Sequence, residues 1–258
     1  MEFHNNTIRP GDGYYWKNDL PVFNFSLAKG KKGLIFINFD ILNIENIKIN
    51  LTNTSKDKCI TIDYFIKEIP KYKPEKNIND LYFIGASSSN YTTQIREKLV
   101  KESKPFNVNI ITDYANKEPL YKMKDHKYLS DLCGWKPWSL RLKFLFLLDR
   151  IPIRISFYNS NIGETDYFNQ YFDYIFKENI DYIHLKYDYD YTKPISDKLY
   201  NTIKKNIINI YNFLESNPNI YIKMINNIKK KQKYLSIENS LKYLEKIINT
   251  YTDTLLER

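Results

Sequence analysis

A chain of 258 residues is long enough for one large domain or two small ones, and 43% hydrophobic with 16% aromatic content supplies a packed core, which excludes an intrinsically disordered segment. The formal net charge of +9 favours phosphorylated or polyanionic partners. Lys229–Lys231 with Lys233 form the one dense basic cluster, and the spread of the other lysines reads as a solvated surface, with no specific nucleic-acid partner expected.

Two cysteines, Cys59 and Cys133, are too few for a disulfide framework and lack metal-ligand spacing. No run of 18 apolar residues exists, so no membrane span is expected. The opening MEFHNNTIRPGDGYYW has no apolar h-region, and the expectation is a soluble, cytoplasmic chain.

In chain order, LPVFNFS (20–26) and KGLIFINFDIL (32–42) read as strands, being β-branched or aromatic and bounded by Pro, Lys and Gly. CITIDYFIKEI (59–69) mixes strand and helix spacing, and PKYKPEKN (70–77) is the best linker candidate, with two prolines among charges. DLYFIGASSSN (80–90) is a strand entering a small-residue turn, TTQIREKLVKES (92–103) a short helix, and FNVNIITDYA (106–115) a strand. KYLSDL (127–132) leads into a Gly-Trp turn and a helix from Ser139 to about Asp149. IPIRISFY (151–158) is a strand, DYFNQYFDYIF (166–176) a helix and DYIHLKYD (181–188) a strand. From Ile195 onward the pattern is helical, interrupted at SNPN (216–219) and KYLSIENS (233–240), where Ser236 caps a last helix running to Glu257. Strands alternating with helices predict a parallel sheet covered on both faces.

Such sheets bind ligands beyond the carboxyl ends of their strands. Three turns fall there. Gly85 to Ser89 admits a phosphate or sugar close to the backbone and offers the three hydroxyls of Ser87, Ser88 and Ser89, although an ordinary polar turn looks the same. In GWKPWSLRLKFLF (134–146), Gly134 allows close approach, Ser139 can cap or donate, and Arg141 and Lys143 stand in an otherwise apolar helix, where an anion gives the two cations a use. In NIGETDY (161–167), Glu164 and Asp166 either cap a helix or hold sugar hydroxyls. His4, His126 and His184 lie in unrelated contexts and suggest no triad or metal site; YDYDY (187–191) looks compositional, and no Walker loop or GxGxxG occurs.

KYLSDLCGWKPWSLRLKFLF resembles the signature of the family 90 glycosyltransferases, the protein O-glucosyltransferase and capsule-associated family, on Lys127, Tyr128, Leu129, Gly134, Ser139, Arg141, Lys143 and Leu145. Upstream, LPVFNFS is similar to the family's I-P-V-F-S-F-S, and LYFIGASSSN with IREKL (which contains Arg96) to its Y-F-R-G-S-R turn and following helix. Downstream, YFDYIFKENIDYIHLKYD runs along its F-Y-P-x-L-x-P-W-x-H-Y-I-P-V segment, so the likeness extends from about residue 20 to 215. The chain departs from the pattern at Ile84 and at Ser87 or Ser88, where the family has arginines, at Cys133, and in the little sequence ahead of LPVFNFS.

The resemblance implies an α/β fold of GT-B type, two Rossmann-like lobes with a shortened N-terminal lobe and a C-terminal helix crossing back. Residues 1–75 would form the acceptor lobe with helix 236–258 packed on it, and 76–235 the donor lobe. It implies inverting transfer of glucose or xylose from a UDP-sugar co-substrate to a hydroxyl on a protein or glycan, with no metal and no tightly bound cofactor. Arg141 would take the metal's place, helped by Gly85, Ser87, Arg96, Gly134, Ser139 and Lys143. Asp12 would be the base, with Asp19 as the fallback. The rival expectation is a non-catalytic nucleotide-sugar or glycan binding protein on a degenerate glycosyltransferase fold.

Overall fold

The computed structural model describes residues 23–24, 27–28, 34–35, 62–87, 91–110, 120–132, 141–163, 168–169 and 171–256. In chain order the regular elements are β1 (Phe23–Asn24), β2 (Leu27–Ala28), β3 (Leu34–Ile35), α1 (Ile62–Glu68), β4 (Ile78–Gly85), α2 (Gln94–Leu99), β5 (Phe106–Ile110), β6 (His126–Leu132), α3 (Leu142–Leu145), β7 (Ile151–Tyr158), β8 (Phe168–Asn169), β9 (Ile183–Asp188), α4 (Asp197–Ser216), α5 (Pro218–Lys231) and α6 (Ile237–Leu256).

The five long strands form one parallel sheet in the order β5-β4-β6-β7-β9. β4 continues into β5 on one side while β6 lies on its other side, so strand order reverses between β4 and β6. That gap is the topological switch point, where open α/β sheets take their ligands. This is a Rossmann-like sheet, as the alternating pattern predicts. Separately, β1 pairs with β3 in parallel and β2 pairs antiparallel with β8, tying the segment around residue 27 to that around residue 168.

Side chains alternate across a strand, and here the two faces differ in chemistry. One face is apolar: Leu81, Phe83, Tyr128, Leu132, Ile151, Ile153, Ile155 and Phe157 pack against Ile95 and Leu99 of α2 and Tyr200, Ile203, Ile207 and Leu214 of α4. The other joins Tyr82, Ile84 and Leu129 to Leu142, Leu145 and Phe146, Phe65 and Ile69, and Ile228, and then turns polar toward β7 and β9. Tyr243 of α6 is half-buried in this second cluster, so α6 packs on the same apolar mass as α1.

The C-terminal helices form for legible reasons. Ser196 caps α4, its hydroxyl accepting the Leu199 N–H at 3.2 Å, and Asp197 favours the first turn. Residues 200, 203, 207 and 214 bury one stripe of it. Pro218 starts α5 at a first-turn position, where its missing N–H costs nothing.

Three local expectations need correction. The helix expected over 166–176 is replaced, in its described part, by β8 and a 3₁₀ turn at Tyr171–Tyr174. Phe172 and Phe176 both become core, Phe176 stacking on Phe146 at 3.8 Å, and tertiary packing overrides the helical spacing. Within the span expected as one helix up to Asp149, the described residues hold only one α turn, α3, followed by a 3₁₀ turn at Phe146–Leu148 that ends on Asp149 in the left-handed region (φ 56°). The segment at 70–77 is less a free linker than a pinned loop. Asp125 accepts the backbone N–H groups of Glu75 (2.8 Å) and Lys76 (3.2 Å), and Tyr72 stacks on Tyr121 at 4.3 Å.

Ile203 is fully buried between α4 and the sheet, whereas Phe213 on the same helix is half exposed. Ile203→Ala should cost about 2–5 kcal/mol in urea unfolding, and Phe213→Ala no more than about 0.5 kcal/mol. Equal effects would mean that α4 does not pack on the sheet through this stripe.

Candidate functional site

At the carboxyl ends of β4 and β6 the chain gathers two guanidinium groups around one buried ring. Phe83, two residues before the end of β4, is fully buried. The Arg141 guanidinium carbon lies 4.5 Å from its centroid and that of Arg96 4.8 Å. Such contacts are worth up to about 2 kcal/mol when desolvated.

Gly85 makes room for this. A Cβ there would stand 2.6 Å from the Arg141 Nη2 and 2.8 Å from the tip of the Phe83 ring. The space that a glycine at this strand end was expected to leave for a ligand is therefore shared with Arg141. Asp131, near the end of β6, supplies the compensating charge: burial works against the Arg141 cation, and the nearby carboxylate favours it.

Arg96 is 6% exposed and spans the switch point. One terminal nitrogen donates to the carbonyl of Ala86, just beyond β4, and the other to the carbonyl of Leu132, at the end of β6 (2.9 Å). The Ser87 hydroxyl donates to the carboxylate of Glu97 on α2. Lys143 turns inward: it is 3% exposed, with Nζ 5.2 Å from the Phe144 ring, and burial brings its ammonium down to about 7 from the ordinary 10.5. Of the sequence-derived set, Gly85, Ser87, Arg96, Arg141 and Lys143 are described. Asp12, Asp19, Gly134, Ser139, Cys59, Cys133, Glu164, Asp166 and His4 lie outside the described residues.

The sequence reading missed a buried polar ladder on the second face. Asp131, Arg154 and His184 are cross-strand neighbours on β6, β7 and β9. Arg154, 1% exposed, donates to Asp173 at 3.0 Å and approaches Asp131 at 3.9 Å, and Tyr182 donates its hydroxyl to the same Asp173 oxygen at 3.1 Å. His184 does have the partners that its sequence context hid. Its Nε2 lies 2.9 Å from the Ser156 hydroxyl and its Nδ1 3.1 Å from Glu178. Burial first, then the Arg154 and Lys186 charges, hold its pKa well below the usual histidine range. The neutral ring thus donates to Glu178 and accepts from Ser156. That is the order of a serine–histidine–acid relay, but Ser156 is 1% exposed in mid-strand, and here the relay satisfies core polar groups. Pattern alone could not reveal the cross-strand partners, because Asp131, Arg154, Ser156 and His184 become neighbours only through the sheet register.

Among the described residues no group of three or more His, Cys, Asp or Glu side chains is placed to hold a metal ion, and no helix is long and apolar enough to cross a membrane. Arg141 and Arg96 over Phe83, with Asp131 as the carboxylate that favours the Arg141 cation, make a cationic cluster at the switch-point crevice of a Rossmann-like sheet, the place where open α/β sheets take ligands. Neither the protein-family models nor the curated proteins compared with this chain give a match.

Lys143 sets a pH dependence with a definite sign. Between about 7 and 10.5 the unfolded chain holds a proton on this amine that the folded chain has lost, so stability rises with pH through that window. Lys143→Met should stabilise the protein near pH 7 and flatten that rise when unfolding is followed from pH 7 to 9.5. An unchanged slope would show that the amine stays charged in the folded state.

Proposed function

We propose that the chain is an inverting, metal-independent glycosyltransferase of the family 90 type, moving a sugar, glucose or xylose, from a UDP-sugar to a hydroxyl on a protein or glycan. In this reading the donor diphosphate lies outside the ends of β4 and β6. Arg141 stabilises the charge that develops on the departing UDP, and Gly85, Ser87, Arg96, Gly134, Ser139 and Lys143 complete the donor side. Asp12 takes the acceptor proton as the hydroxyl oxygen bonds to the anomeric carbon, and the carbon–oxygen bond to UDP breaks with its electron pair leaving on the diphosphate.

The observation that carries this reading is the guanidinium of Arg141 lying against Gly85 and Phe83 beside the switch point. Drawing a cation partly out of water is costly, and this half-buried one stands where open α/β sheets bind anions. Lys143 is the adjacent reserve of charge: an amine with a pKa of about 7 gains a proton readily when a phosphate approaches. The GT-B arrangement, with residues 1–75 as acceptor lobe and 76–235 as donor lobe, belongs to the same proposal and draws support from the order of the sequence motifs.

A second reading, a nucleotide-sugar or glycan binding protein without catalysis, has its own support. The Arg96 donors end on Ala86 and Leu132 and the Ser87 hydroxyl on Glu97, so these groups serve the protein before any ligand.

Calorimetry with UDP, after a thermal-shift panel of UDP, UDP-glucose, UDP-xylose, UDP-GlcNAc and GDP-sugars, tests the donor site. Arg141→Ala should weaken UDP binding by about 1.5–3 kcal/mol in a variant whose circular dichroism matches the parent; unchanged affinity removes Arg141 from the site.

The two readings part at the base. Asp12→Asn should lower sugar transfer by about 10²-fold or more while UDP affinity holds. Loss on Asp19→Asn instead moves the base to Asp19. UDP binding with no transfer by the parent chain selects the binding protein.

A further inference from the structure

The opposite edge of the sheet carries a second cationic centre. Just before β6 and β7, where Lys124 and Arg150 precede the first strand residues, a cavity of about 310 Å³ opens between these turns, the loop at 70–74 and α5. Lys73, Lys124, Arg150 and Lys229 line it, with Asp149 as the one carboxylate on its wall. It lies at the amino ends of the strands, away from the Gly85–Arg141 crevice.

The cations are held in place from three directions. Lys124 is 5% exposed and donates to the carbonyl of Ile69 at 3.1 Å. The Arg150 Nε donates to the carbonyls of Lys124 (3.0 Å) and His126 (2.8 Å), which fixes the guanidinium between the two strand entries. Lys73 rides on the loop pinned by Asp125 and by the Tyr72–Tyr121 stack, and Lys122 grips Glu75 of that loop at 2.5 Å. Lys229 comes from the last turn of α5 and reaches Asp149 only at 3.7 Å, while the other Asp149 oxygen accepts from Gln232 at 2.9 Å.

One carboxylate among four cations leaves excess positive charge, which opposes folding unless something offsets it. Burial above all holds the Lys124 ammonium below the ordinary lysine range; Asp149 opposes it, and the charges of Arg150, Lys229 and Lys73 each add a smaller push downward. A bound anion would reverse that balance. On the α5 side the wall carries Tyr221, Ile222 and Ile225, with Asn226 as a polar neighbour. A concavity of this size suits a small molecule and not a polymer.

We propose that this cavity is a second ligand site, taking a small organic phosphate whose phosphoryl group sits among Lys73, Lys124, Arg150 and Lys229 and whose apolar body lies against Tyr221, Ile222 and Ile225. The proposal is independent of the glycosyltransferase reading, since the two sites share no residue.

Phenyl phosphate, with inorganic phosphate and pyrophosphate beside it, is the probe. Titration followed by calorimetry should show saturable binding to the parent chain, phenyl phosphate tighter than inorganic phosphate because it also covers the apolar wall. Lys73→Ala with Lys229→Ala changes two outlying side chains and leaves buried Lys124 and Arg150 intact, and should lower the affinity at least tenfold. Should the double variant fail to fold, Lys229→Gln alone should lower it at least threefold. Arg141→Ala should leave phenyl phosphate affinity within twofold, so that failure here and failure of the donor site are told apart. The proposal is overturned if phenyl phosphate does not saturate the parent, if its affinity survives the lysine substitutions, or if Arg141→Ala alone abolishes it. It is also overturned if a DNA or RNA oligomer binds through these lysines while phenyl phosphate does not.

Discussion

Arg96 joins two strand ends that topology leaves apart. At the point where the strand order reverses, the carbonyl of Ala86 just past β4 and that of Leu132 at the end of β6 need donors. A single guanidinium supplies both, to Ala86 and to Leu132, while its flat face covers Phe83. Hydrogen bonds from a charged donor are worth about 1.5–3 kcal/mol each, which offsets the cost of taking the cation out of water. Gly85, Ser87 and Arg141 take their positions from strand ends held at this spacing, so the crevice depends on a residue whose own donors point into the protein.

The two sheet faces show how differently the interior treats polarity. Toward α2 and α4 the sheet offers a largely apolar surface, with Ser130 the small polar residue between Tyr128 and Leu132, and packing there is mainly a matter of volume. Toward α3 and the 3₁₀ turn at Tyr171–Tyr174 it carries Asp131, Arg154, Ser156 and His184, and each has a charged or hydroxyl neighbour within reach. Replacing a buried pair of this kind by apolar residues is often neutral, whereas removing one member leaves an uncompensated charge. The ladder therefore specifies register more than it adds stability: a one-residue slip of β7 would turn Arg154 into the apolar face.

Much of this architecture was legible from residue order alone. IPIRISFY and DYIHLKYD are short, β-branched and bounded, and became β7 and β9; the helical pattern from Ile195 onward became α4 to α6, with residues 200, 203, 207 and 214 buried on α4. DYFNQYFDYIF misled because its aromatic spacing fits a helix equally well, and the outcome was decided by Arg154 taking Asp173 and by Phe146 stacking on Phe176. At the crevice, the oddity of Arg141 and Lys143 in an apolar run was visible, but their directions were not. Arg141 lies against Phe83 and Gly85, which precede it by more than fifty residues, and Lys143 is buried on the single turn of α3. The Ser156–His184 contact was illegible for the same reason, its members meeting only once the parallel register of β7 and β9 is set.

The parallel strands also set the electrical layout of the molecule. β4 and β7 each run eight residues, about 25 Å at 3.3 Å per residue, and the two cationic centres lie at opposite ends of that span. In physiological salt the screening length is about 8 Å, so neither centre feels the charge state of the other directly. Together they account for part of the net +9, and each would draw anions from solution at a rate that falls as ionic strength rises. How long an anion then stays is a local matter of hydrogen bonds and desolvation at one end, so residence at the two ends can be tuned separately while capture at both responds to salt in common.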